Sequence, residues 1–227
     1  MGAAAGRPSA VVCVSAHWYV PNLSVLSAEF PRTIHDFGGF PEALYALRYP
    51  APGSPEVARR AQALLAEFGG ALSDQWGLDH GAWCVLRHIW PDAAVPVVQV
   101  SVQRGASAAK HWEFGQRLSA LRHEGVVVMG SGNAVHNLRH AFGNMTNPTP
   151  QWAAQFDADV ASALEQRDRA WLVRALDTDA GRLAHPSADH YLPLLVAAGA
   201  AATDPSLSFP VADFDASSIS MRSVRWG

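Results

Sequence analysis

Five histidines stand in segments with unusual neighbours. They are His17 in Ser15-Ala16-His17-Trp18, His35 in Ile34-His35-Asp36-Phe37-Gly38-Gly39, His80 in Gly77-Leu78-Asp79-His80-Gly81, His136 in Gly130-Ser131-Gly132-Asn133-Ala134-Val135-His136-Asn137, and His190 in Asp189-His190-Tyr191-Leu192-Pro193. Imidazole is the commonest transition-metal ligand and the side chain whose proton affinity lies nearest neutrality. A set of this kind points to metal binding, acid–base catalysis or both. Each of the five adjoins Gly, Asp, Asn or Trp in a segment that reads as a strand-end loop or helix start. His88, His111, His123 and His140 lie beside ordinary helix or loop charges and read as structural, and His185 before Pro186 reads as a turn residue.

The elements that must position these residues are legible as alternating patterns. Ala10-Val11-Val12-Cys13-Val14-Ser15-Ala16, Val95 to Val102 and Val126 to Met129 are continuous apolar runs, the mark of strands covered on both faces. Weaker strand signals lie at Leu23 to Leu26 and Ser217 to Val224. Ser54-Pro55-Glu56 supplies a cap, a first-turn proline and a first-turn acid for a helix that Gly69 closes. Further helices are expected from Ser107 to Gly125, from Thr149-Pro150 through Leu164, from Arg169 to Leu176, and from a Ser187 cap through Tyr191 to Gly199. Alternation of buried strands with helices predicts one α/β layered domain over residues 1–227, its central mostly parallel or mixed sheet flanked by helices. In such sheets sites gather beyond the carboxyl ends of strands. His17 and His136 then follow the first and third buried strands, and His190 falls in the first turn of the last helix.

Composition excludes several other classes. The 227 residues carry a formal net charge of -3, so there is no basic footprint for nucleic acid or an anionic membrane. Two cysteines, Cys13 and Cys84, supply neither a disulfide framework nor a Cys-rich zinc site. No apolar run reaches transmembrane length and no signal-peptide pattern opens the chain, which predicts a cytoplasmic protein. Met129 stands where a nucleophile elbow needs glycine, Val135 stands where a dinucleotide fingerprint needs its third glycine, and neither a Walker A sequence nor H-E-x-x-H occurs. A histidine-rich metal or acid–base site is what survives.

Ser15 to Trp18, Ile34 to Pro41, Tyr49 to Pro55, Gly77 to Trp83, Val95 to Val102, Ser131 to Arg139 and His190 to Leu195 occur in that order. Together they resemble the class III extradiol ring-cleavage dioxygenases of the 4,5-DOPA dioxygenase type, over nearly the whole chain. The resemblance implies a non-haem metal site, Fe(II) for oxygen chemistry with Zn(II) in the same site, a small-molecule catechol and O2 as substrates, and a role in aromatic compound catabolism. It implies His17 and His190 as metal ligands, His136 as the acid–base histidine, and His35, His80, Asn133 and His185 as residues near substrate. Family members carry a Gly-His-Gly-Ser-Pro segment upstream whose histidine is another ligand. The present chain opens Met1-Gly2-Ala3-Ala4-Ala5 without one, so it is expected to be short at its N-terminus and to hold metal weakly. A catalytically silent relative, favoured by that missing ligand, and a zinc-dependent hydrolase are the alternatives.

Overall fold

A computed structural model describes residues 6–227. The expected departure at the N-terminus concerns a stretch whose residues 1–5 lie outside the described ones. The chain divides into two compact units: residues up to Ala106 with Arg117–Ser131, and Ser107–Gln116 with Gly132–Gly227.

The first unit holds the main sheet. Its strands are β1 (Ala10–Val20), β2 (Ser24–Leu26), β3 (Ala71–Ser73), β4 (Val97–Gln103) and β5 (Val126–Ser131), in the order β3-β2-β4-β1-β5. The valine runs occupy β4, β1 and β5, which are mutually parallel, whereas β2 pairs antiparallel with β4. The sheet is therefore mixed. Val11, Val12, Cys13, Val97 and Val98 are almost wholly buried, as a strand covered on both faces requires. The helices of this unit are α1 (Glu42–Tyr45), α2 (Pro55–Leu64) and α3 (His80–Ile89). Ser54 caps α2 by accepting from the Val57 amide, as its sequence predicts. Trp83 and Leu86 of α3 join Val11, Cys13 and Val97 in one core, and the Trp83 indole donates to the Ile34 carbonyl at 2.8 Å.

The second unit is mainly helical. Helix α4 (Ala108–Arg122) begins in it, and α5 (Leu138–Gly143), α6 (Gln151–Glu165), α7 (Arg169–Leu172), α8 (Asp179–Ala184) and α9 (Leu192–Ala200) follow. Four short strands, β6 (Leu207–Val211), β7 (Phe214–Asp215), β8 (Ile219–Ser220) and β9 (Ser223–Trp226), make two antiparallel pairs, β6 with β9 and β7 with β8. Among the described residues no helix is long and apolar enough to cross a membrane.

Three local differences from the sequence expectations bear on function. Strand β1 continues past Ala16 to Val20, so His17 lies within the strand rather than after it. His80 is the first residue of α3, a helix absent from the sequence expectations. The last helix starts at Leu192, with Pro193 in its first turn, so His190 sits in the preceding turn. Ser187 does not cap that helix, and its hydroxyl hydrogen-bonds Asp189 instead.

Candidate metal centre

His17 is placed by an irregularity in β1. The register against β4 runs from Ser15 opposite Ser101 directly to Tyr19 opposite Val102, so that Ala16, His17 and Trp18 fall at a break in that ladder. Extra residues of this kind bend a strand and re-aim its side chains, which is why bulges recur beside functional sites. The pairing of β1 with β5 also ends at Ser15.

The N-terminus of α3 comes to the same place. Asp79 caps it, accepting from the Ala82 amide at 3.2 Å. The Asp79 carboxylate is fully buried, and it also accepts from the Ser15 hydroxyl at 2.7 Å, from the Trp76 indole at 3.1 Å and from the Gln99 amide. A buried carboxylate is tolerable only when satisfied in this way. Its bonds join β1, β4 and α3 around the base of the site. Gly81 completes the fit, because a Cβ there would stand 2.8 Å from His17 Cδ2. Asp36 and His80, 44 residues apart in the chain, are brought together by a paired loop: the Ile34 N–H donates to the Leu78 carbonyl at 2.7 Å and the Leu78 N–H donates to the Arg32 carbonyl at 2.8 Å, which brings Asp36 alongside the start of α3.

Asp36 ties the group together. Its Oδ2 lies 3.1 Å from His17 Nδ1, and its Oδ1 lies 3.0 Å from His80 Nδ1. The His80 backbone N–H donates to Oδ1 at 2.8 Å, while the His80 Nδ1 contact lacks the alignment of a hydrogen bond. The two rings are tilted by 54° with centroids 3.9 Å apart. Burial alone would raise the Asp36 carboxyl, but the close His17 and His80 rings and the hydrogen bond from the His80 backbone outweigh it and hold the group well below the usual carboxylate range. One donor atom from each of His17, Asp36 and His80 lies within 4.8 Å of the others. Two imidazoles and a carboxylate form a donor set that suits Fe(II) or Zn(II), so these residues fit a metal. His35 stands beside this group. Its Nε2 bonds the Leu47 carbonyl at 2.9 Å, and Phe37 packs edge-on against both His35 and His80.

In the second unit His136 and His190 stack face to face, centroids 3.5 Å apart and planes 4° from parallel. His190 Nδ1 is paired with Asp189. Burial would raise the Asp189 carboxyl, but hydrogen bonds from His190 and Ser187 outweigh it and hold it well below its ordinary range. The loop after β5 wraps the His190 backbone: Asn133 donates to the His190 carbonyl at 2.9 Å, and a Cβ on Gly132 would collide with that carbonyl. His136 donates its backbone N–H to Ala184 at 3.0 Å and bridges to Ile219. The Asn133 side chain donates to the Ser220 carbonyl at 2.8 Å. His185 is buried and its Nε2 bonds the Ala134 carbonyl at 2.9 Å. Burial pushes its imidazole down to about 4.

The structure thus gathers the seven expected residues into two groups, His17, His80 and His35 in one unit and His136, His190, Asn133 and His185 in the other. Asp36, Asp79 and Asp189 are the carboxylates beside these groups that sequence reasoning passed over. Their signal was present, since each directly adjoins one of the five histidines.

Residues 2–223 match the family described as the catalytic LigB subunit of aromatic ring-opening dioxygenase. The chain belongs to the LigB family. A relative from Escherichia coli (strain K12), named 4,5-DOPA dioxygenase extradiol, is 43% identical over 231 residues, covering 100% of this chain and 85% of that protein. One of the same name from Beta vulgaris is 42% identical over 204 residues, covering 86% of this chain and 74% of that protein. The crystal structure of an uncharacterized protein from Escherichia coli K12 superposes with a TM-score of 0.84 at 40% identity, covering 98% of this chain and 87% of that one. The LigB family is metal-dependent, which accords with the His17, Asp36 and His80 donor set.

Proposed function

We propose that this chain is a non-haem dioxygenase that opens a catechol-type ring in extradiol fashion. The C–C bond beside the two hydroxyl-bearing carbons is broken, and both atoms of O2 enter a ring-opened semialdehyde. The observation that carries the reading is the clustering of histidine and carboxylate side chains around His17, with Asp36 and His80 beside it, in a member of the LigB family.

Roles are assigned residue by residue. His17 and His190 are metal ligands, each with its Nδ1 against an aspartate. When bound, Fe(II) supplies Lewis acidity toward the catechol hydroxyls and redox chemistry toward O2, and Zn(II) is an alternative occupant. His136 accepts a hydroxyl proton at a ring nitrogen and returns it during ring opening, a task suited to a group whose ordinary pKa is near 6.5. His80 and His35 are assigned to substrate binding, with Phe37 offering an aromatic edge beside them. Asn133 and His185 are assigned to substrate binding as well, and each is held by a backbone carbonyl.

Oxygen consumption with a catechol after anaerobic loading with Fe(II) tests the reading. His136→Ala is expected to keep its metal and lose about 10²-fold or more in turnover. His17→Ala and His190→Ala are each expected to lose metal. A loaded protein that consumes no oxygen with any catechol would overturn the proposal.

A further inference from the structure

Asp36 occupies a position that the two neighbouring histidines do not explain by themselves. Its Oδ1 is committed to the His80 backbone N–H at 2.8 Å, one of the amides that a helix start leaves without an internal partner. That bond fixes the carboxylate against the first residue of α3, where the helix dipole favours an anion. Its Oδ2 is left facing His17 Nδ1 at 3.1 Å. A carboxylate on Nδ1 selects the tautomer protonated there and leaves Nε2 as the lone-pair nitrogen.

We infer that Asp36 is a positioning residue that locks His17 in its Nδ1-protonated tautomer and presents Nε2 as the metal-binding atom. The inference rests on the proposed assignment of His17 as a ligand. It makes Asp36 a partner of the ligand rather than a ligand itself. Asp36 reaches His17 from a separate loop, so the orientation of the ring in the β1 irregularity is set by contacts outside that strand as well as by Ser15, whose hydroxyl accepts from the His17 amide at 3.3 Å.

The test reads the tautomer in metal-free protein by long-range 1H–15N correlation of the His17 ring at a pH where imidazole is neutral. Wild type is expected to show the Nδ1-protonated form, and Asp36→Ala is expected to shift it toward the Nε2-protonated form. Competition titration with Zn(II) is expected to give an affinity about 10- to 100-fold weaker for Asp36→Ala. Asp36→Asn keeps the shape but offers a weaker, neutral acceptor, and is expected to fall between the two. An Nε2-protonated His17 in wild type, or a tautomer unchanged by Asp36→Ala, overturns the inference. Loss of metal from Asp36→Ala as complete as from His17→Ala also overturns it, by making Asp36 a ligand. Full metal retention by His17→Ala counts instead against the proposed function, and the tautomer is read without metal, so the two failures are distinguishable.

Discussion

At the residue scale the site depends on close approach as much as on charge. Gly81 follows His80 in α3 and faces the His17 ring, with room for a hydrogen and nothing larger. Gly81→Ala must displace the Ser15 hydroxyl, 2.5 Å from the added Cβ, and the His17 ring, or else the start of the helix. Because misplacements of about 1 Å can cost as much as 10²-fold in rate, the variant is expected to lose about tenfold or more in turnover. Wild-type turnover in Gly81→Ala would show that the His17 position is not critical. The adjacency of Asp and His in three segments was readable beforehand, but adjacency misleads about partnership. Asp189 pairs with its neighbour His190, whereas Asp36 reaches His17 and His80, and Asp79 turns away to cap α3.

At the element scale the C-terminal strands support the second histidine group. Ser220 of β8 accepts the Asn133 side chain through its carbonyl, and its hydroxyl donates to Asp157 of α6 at 2.6 Å. Arg222 binds the same carboxylate through two nitrogens, and both side chains are largely buried. Removing the guanidinium leaves a buried carboxylate uncompensated, so Arg222→Ala is expected to cost about 3–5 kcal/mol in stability. Urea unfolding measures it, and a cost under 1 kcal/mol, on the order of an exposed ion pair, would show the pair to be unimportant. The sequence marked this stretch only as a weak strand. The valine-rich strands were plain because burial on both faces writes itself into composition. The pairing of Asp157 with Arg222 was not, because a single ion pair across 65 residues leaves no periodicity.

At the scale of the whole molecule, two buried histidines set an acid limit. Burial pushes His111 and His185 down to about 4, so both stay neutral in the folded chain while an unfolded chain would protonate them near 6.5. Between those values the unfolded state binds more protons, so stability is full above about 6.5 and falls as pH is lowered toward about 4. From pH 7 to pH 5 each is expected to remove about 2 kcal/mol. Denaturant titrations at the two pH values check this, with His111→Gln reducing the slope. An unchanged slope would mean that His111 is accessible to protons when folded. Asp36 and Asp189, held low, are ionised in the folded chain between pH 7 and pH 5, where an unfolded aspartate is ionised too, so they add almost nothing to that slope.

The sequence by itself determined the α/β class, the three buried parallel strands and the identity of the histidine-bearing segments, because apolar runs and capping residues act through local physics. The tertiary structure decided how those segments meet. Only the break in register between β1 and β4 places His17, only the pairing of Ile34 with Leu78 brings Asp36 to the His80 amide, and only the Asn133 amide on its carbonyl holds the His190 backbone. Each of these depends on contacts between residues remote in the chain, which a reading of neighbours along one strand or helix does not contain.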